Sequence, residues 1–170
     1  MKLDWFKPVN GQTYIIFLVN DFQKTVMYHS VPDTSNSKLF VECGGEGCTY
    51  CKNELMPFSS RVYAVSVFTR ASTNLYLWNV PENLIIQFDN LFDLKKAATL
   101  TVRLNNGLID IENTFLASSI VLGKAKMALY DCAPDLMSLL NGRLDTAGMS
   151  VDDEVEMYNI GEKYGGTISN

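Results

Sequence analysis

The chain has 170 residues but only one histidine, four cysteines and five prolines, and its charged residues amount to 19%. No apolar run approaches the roughly 20 residues that cross a bilayer, so no membrane segment is expected. The opening Met1-Lys2-Leu3-Asp4-Trp5-Phe6-Lys7-Pro8 has no apolar stretch ahead of a small-residue cleavage site. It does not read as an export signal, and the expected location is the cytoplasm. P-loop, GxSxG and HExxH patterns are missing. Gly44-Gly45-Glu46-Gly47 is not followed by the Lys-Ser/Thr of a nucleotide loop. With a single imidazole there is no second histidine for general-base work. Asp152 and Asp153 sit in an acidic terminal stretch with no sign of a pocket. These absences argue against the common catalytic designs, and the chain is expected not to be an enzyme.

What is present is concentrated. His29, Cys43, Cys48 and Cys51 bring the only histidine and three of the four cysteines within 23 residues. In a reducing compartment, clustered cysteines read as metal ligands before disulfides. The run ends in a C-x2-C pair, and Gly44, Gly45 and Gly47 give the backbone the freedom to turn thiolates toward one ion. Three sulfurs and one nitrogen complete a tetrahedral set for one Zn2+, with no position left for water, so the expected role is structural. Cys132 stands apart and is expected to be a small buried apolar residue.

The net charge of −5 is unevenly spread. Residues 1–130 hold 12 Lys+Arg against 11 Asp+Glu, a balance of +1, whereas residues 131–170 hold 2 against 8, a balance of −6. The expected organisation is a strand-rich domain over 1–125, with a metal subdomain inserted at about 29–55. An acidic, partly helical segment and tail follow over 126–170.

Strands are expected at Thr13–Val19, Thr25–Tyr28, Leu39–Glu42, Arg61–Phe68 and Leu75–Val80. A hairpin is expected from Thr99–Leu104 to Leu108–Thr114, turning at Asn105-Asn106-Gly107. Pro81 and Glu82 suit a helix start, and Leu84, Ile85, Phe88, Leu91 and Phe92 continue it as one apolar stripe. Lys124–Tyr130 is ambiguous. Pro134–Leu140 reads as a helix stopping at Asn141-Gly142, and Val151–Tyr158 as a weak acidic helix or unfolded tail. Strands, one helix and then strands predict a mainly β fold with minor α, a small OB-fold-like barrel, rather than a doubly wound sheet.

Alternation along the strands places Arg61 with Tyr63, and Tyr76 with Trp78, on shared faces, and sets Arg103 opposite Val102 and Leu104. Lys38, Phe40 and Lys52 flank the metal turn, and Arg70 lies in the loop between two strands. Rings for stacking and cations for phosphates are what a single-stranded nucleic-acid surface needs, and these nine residues are its candidates.

The order His, then three cysteines ending in C-x2-C, between early strands, resembles the zinc-containing single-stranded-DNA-binding proteins of tailed bacteriophages, the helix-destabilising type. Trp5-Phe6-x-Pro8-x-x-Gly11-x-x-Tyr14-Ile15 looks like the start of such OB-fold proteins. Leu75-Tyr-Leu-Trp-Asn-Val-Pro-Glu-Asn-Leu-Ile-Ile-Gln87 looks like their strand leading into the connecting helix. The resemblance covers about residues 5–120. It implies non-specific binding of single-stranded DNA in a sheet-lined cleft during phage replication, recombination and repair, in the host cytoplasm. It also implies a mobile acidic C-terminal segment that docks replication or recombination proteins. The near-neutral body supports a second expectation: a structural or adaptor protein of a phage particle or polymerase assembly, built on the same zinc-stapled fold.

Overall fold

The computed structural model describes residues 1–32, 38–68, 72–81, 89, 98–106, 108–113, 119–146, 149 and 158–159. Its chain is mainly β: eight strands join one sheet, with three helices among the described residues. The strands are β1 (Thr13–Leu18), β2 (Gln23–Pro32), β3 (Lys38–Glu42), β4 (Phe58–Phe68), β5 (Thr73–Pro81), β6 (Ala98–Asn105), β7 (Leu108–Asn113) and β8 (Tyr158–Asn159). The helices are α1 (Thr49–Lys52), α2 (Ser119–Tyr130) and α3 (Ala133–Asn141).

Strand β4 is the hub. Its first half pairs with β2, from Tyr28↔Phe58 to Gln23↔Tyr63, and its last three residues pair with β1, from Phe17↔Ser66 to Ile15↔Phe68. The opposite edge pairs with β5 along nearly the whole length. From β1 the sheet continues through β6 and β7, and all these pairings are antiparallel. The short β8 lies parallel to β7. The β6–β7 hairpin turns where the Asn-Gly signal sits, and Asn106 takes a φ of 52°, the left-handed value that a tight turn demands.

Period-2 alternation sends side chains to two cores. Ile16 and Leu18, Tyr63, Val65 and Val67, Trp78 and Val80, and Leu100 and Val102 pack with Phe6 on one face. Phe17, Val26, Tyr28, Val62, Ala64 and Leu77 pack on the other. Helices α2 and α3 cover that second face through Ala125 and Leu129, and Leu136 and Leu140, each pair four residues apart on one helix side. Pro134 suits the first turn of α3, and Gly142 closes it by donating its N–H to the Ser138 carbonyl at 3.1 Å.

The N-terminal segment runs along β5: Phe6 N–H donates to the Leu77 carbonyl at 2.7 Å, and Leu77 N–H to that of Asp4 at 2.9 Å. Trp5 Nε1 donates to the Asp145 carbonyl at 2.9 Å, tying this segment to the chain beyond α3.

Several expectations shift. Residues 124–130 resolve as the end of α2, because Ala125 and Leu129 find an apolar surface to cover. Residue 125 lies inside α2, and Leu129, Leu136, Leu140, Leu144 and Met149 pack in the second core with the sheet. Strand β2 extends past Tyr28 to Pro32, since β3 pairs with its second half. Tyr158 and Asn159, expected in an acidic helix or tail, form β8. Apart from Asp89, the expected helix after Pro81 lies outside the described residues, as does the acidic run 151–157.

If the helices are structural parts of this core, Leu129→Ala should cost about 2–5 kcal/mol in urea unfolding. Met127→Ala, two residues away on the exposed side, should stay within about 0.5 kcal/mol.

Candidate metal centre and the adjoining sheet face

Each ligand is delivered by a different local device. His29 sits inside β2 opposite Val41 of β3 and is fully buried. Strand β3 ends at Glu42, and Cys43 follows with its N–H donated to the Met27 carbonyl at 2.7 Å, which fixes the loop's entry against β2. Gly45 and Gly47 take φ values of 76° and 80°, turning the chain back so that Cys48 N–H reaches the Gly45 carbonyl at 3.1 Å. Cys48 caps α1, and Cys51 lies within it. Tyr50 stacks its ring in a tilted arrangement 5.5 Å from that of His29.

The four ligand atoms all lie within 4.8 Å of one another. Cys43 Sγ is 3.5 Å from Cys51 Sγ, and His29 Nε2 is 3.5 Å from the sulfurs of both Cys48 and Cys51. A tetrahedral zinc with bonds of about 2.3 Å to sulfur and 2.0–2.1 Å to nitrogen separates its ligand atoms by about 3.6–3.8 Å. The spacing therefore fits one metal ion, and the soft, closed donor set fits zinc. Glu42 is engaged elsewhere: Lys24 Nζ lies 3.2 Å from its Oε1 and donates to the Gly142 carbonyl at 2.8 Å.

Without a cation, the Cys48 and Cys51 thiols titrate far apart. Backbone N–H groups of Cys51 and Gly44 stabilise the Cys48 thiolate and lower its pKa to about 6. The bond to the Cys43 thiol, together with some loss of water around the sulfur, pushes the exposed Cys51 up to about 11. A bound divalent ion would hold all three as thiolates.

The metal module stands on a definite side of the sheet. His29 alternates with Tyr28 along β2, and Tyr28 points into the helix-covered core. The His29 side also carries Thr25 and Met27, which face Arg61 and Ser59 across the β2–β4 pairing. Thr25 and Met27 are exposed, and Ser59 and Arg61 are half-buried. These four form an open floor between the metal module and the core around Tyr63 and Trp78.

The nine expected nucleic-acid residues do not converge. Tyr63 and Trp78 are 0% and 2% exposed, inside the first core, so in this arrangement their rings are not offered for stacking. The reason is simple: both faces of the sheet are covered here, and aromatic rings supply the filling. Phe40 is buried in the second core. Tyr76 is half-buried at the margin of the first, in edge contact with Phe6. Arg61 lies on the floor, and Lys52 is exposed on the metal helix. Arg103 is exposed, but it projects from β6 on the side opposite Val102. Lys38 begins β3 opposite Pro32. Arg70 lies outside the described residues.

Sequence reasoning missed Asp89. Its carboxylate grips Arg61 with both oxygens, at 2.7 Å from Nη1 and 3.2 Å from Nη2. Arg61 Nη1 also donates to the Tyr63 hydroxyl at 3.0 Å. Burial works against the Arg61 charge, but the bonds to Asp89 and Tyr63 outweigh it and raise the pKa. A lone aspartate in an apolar stripe gives no spacing signal toward a strand 28 residues earlier. Tyr50 was missed for the same reason: its role is visible only once the turn is folded.

Comparison of the chain with protein-family models, with curated protein sequences and with solved structures finds no match.

Purified protein should carry one zinc per chain by elemental analysis, and Cys51→Ser should lower both zinc content and melting temperature. Because zinc must displace the Cys51 proton at neutral pH, its affinity should fall as pH drops from 8 to 6. Competition with a chromophoric chelator should show a loss of at least about tenfold per pH unit.

Proposed function

We propose that the protein binds single-stranded DNA without sequence preference, on an OB-fold-like body stapled by one structural zinc. The observation that carries the reading is the His29/Cys43/Cys48/Cys51 quartet, held on the same side of the sheet as the open floor of Thr25, Met27, Ser59 and Arg61. When bound, the ion supplies no reactive chemistry; it fixes the β2–β3–α1 module. The chain's own residues would do the binding. Arg61 on the floor and Lys52 on α1 meet phosphates, Met27 offers a soft apolar surface to bases, and Tyr76 a ring at the margin. Tyr63 and Trp78 support this surface from beneath. The replication, recombination and repair setting, and the docking of partner proteins by the acidic segment, belong to the same proposal.

The adaptor reading draws on a different observation. Most of the expected stacking rings are buried, and Arg61 is already paired with an acid. A surface of that kind suits protein contacts in a particle or polymerase assembly.

Fluorescence anisotropy of labelled oligo-dT separates the two. Both tryptophans are buried, so intrinsic quenching is a poor probe. Binding at micromolar protein in low salt is expected, weakening steeply as salt rises. Lys52→Gln should weaken it and flatten the salt dependence by about one phosphate contact. No anisotropy change at low salt, with recovery of a protein partner instead, would favour the adaptor.

A further inference from the structure

The Arg61–Asp89 pair joins two unlike parts of the molecule. Arg61 is rigidly placed: β4 is paired through Arg61 with Thr25 of β2 on one edge and Val80 of β5 on the other. Asp89 belongs to the connection between β5 and β6, not to the sheet. The guanidinium side chain is 19% exposed and the carboxylate 41%, so the acid approaches from the solvent side. The two-oxygen grip on a guanidinium fork is the geometry that a phosphate also uses. The carboxylate leaves that fork incompletely satisfied, since the buried Arg61 Nε has no hydrogen-bond partner among the described residues. Asp89 therefore sits at the one cation of the open floor, in the place a backbone phosphate would take.

We propose that Asp89 is a built-in stand-in for phosphate, which an incoming single strand must displace from Arg61 before it can lie along the floor. The inference rests on the reading of this face as a single-strand site and adds its regulation. Displacement exchanges one charge-assisted pair for another, so the acid lowers affinity without abolishing it. It also discriminates against ligands that lack a phosphate able to match both oxygens. Asp89 is released from Arg61 when the strand binds and pairs with it again when the strand leaves.

The test is a double-mutant cycle with labelled oligo-dT in low salt, using the full chain loaded with zinc. Asp89→Asn keeps the side chain's size but removes its charge, and should tighten binding about two- to fivefold, the scale of one partly exposed pair. Asp131→Asn makes the same change of net charge beyond α2, on the helix-covered side, and should have a smaller effect. In an Arg61→Gln background the gain from Asp89→Asn should shrink to that of Asp131→Asn. Zinc content and melting temperature of each variant monitor the fold. Equal gains from Asp89→Asn and Asp131→Asn, or a gain that survives Arg61→Gln, would overturn the inference while leaving single-strand binding intact. Failure of every protein to bind oligo-dT would remove both readings.

Discussion

The structure depends on four side chains being drawn to one point. His29 reaches that point from inside a paired strand, while the three cysteines come from a loop and a helix of four residues that has no buried side chain of its own. A segment that small buries too little apolar surface to hold its shape. Its backbone bonds to β2, its glycine turns and its ligand spacing make sense together if a cation supplies the missing free energy, on the order of 10 kcal/mol in small zinc modules. The consequence reaches past the module. Fixing β3 and α1 against β2 fixes one wall of the open floor on which Arg61 lies.

The second constraint is a sheet buried on both sides. The N-terminal segment and β5 close one part, and α2 and α3 cover the other face. A small body that must fill two cores spends its aromatic residues on packing. Tyr63, Trp78 and Phe40 are consumed in that way, and what remains for recognition is polar or mobile in side chain: Arg61, Lys52 and Met27. Affinity on such a face would come from a few charges and soft contacts. On the proposed single-strand reading, that would make one intramolecular competitor, Asp89, consequential.

Much of this was legible before folding. The strands were marked by β-branched and aromatic runs, the β6–β7 hairpin by Asn-Gly, and the end of α3 by Asn141-Gly142. The ligand set was marked by the isolation of His29 beside the only cysteine cluster. Alternation correctly put Arg61 with Tyr63 and Tyr76 with Trp78. It could not say whether that side faced water, because periodicity distinguishes two faces without naming the covered one. Helix α2 was hidden by a weak apolar pattern that becomes meaningful only against Phe22 and the sheet. The Arg61–Asp89 pair was hidden by sequence distance. Alternation also set Arg103 opposite Val102, but that its side of β6 is not the side Arg61 shares with Tyr63 needed the assembled sheet.

X-ray absorption at the zinc edge of the purified protein tests the central claim most directly. The account predicts a single four-coordinate shell of three sulfurs at about 2.3 Å and one imidazole nitrogen at about 2.0–2.1 Å. A shell of nitrogen and oxygen only, or protein that folds fully without any bound metal, would contradict it.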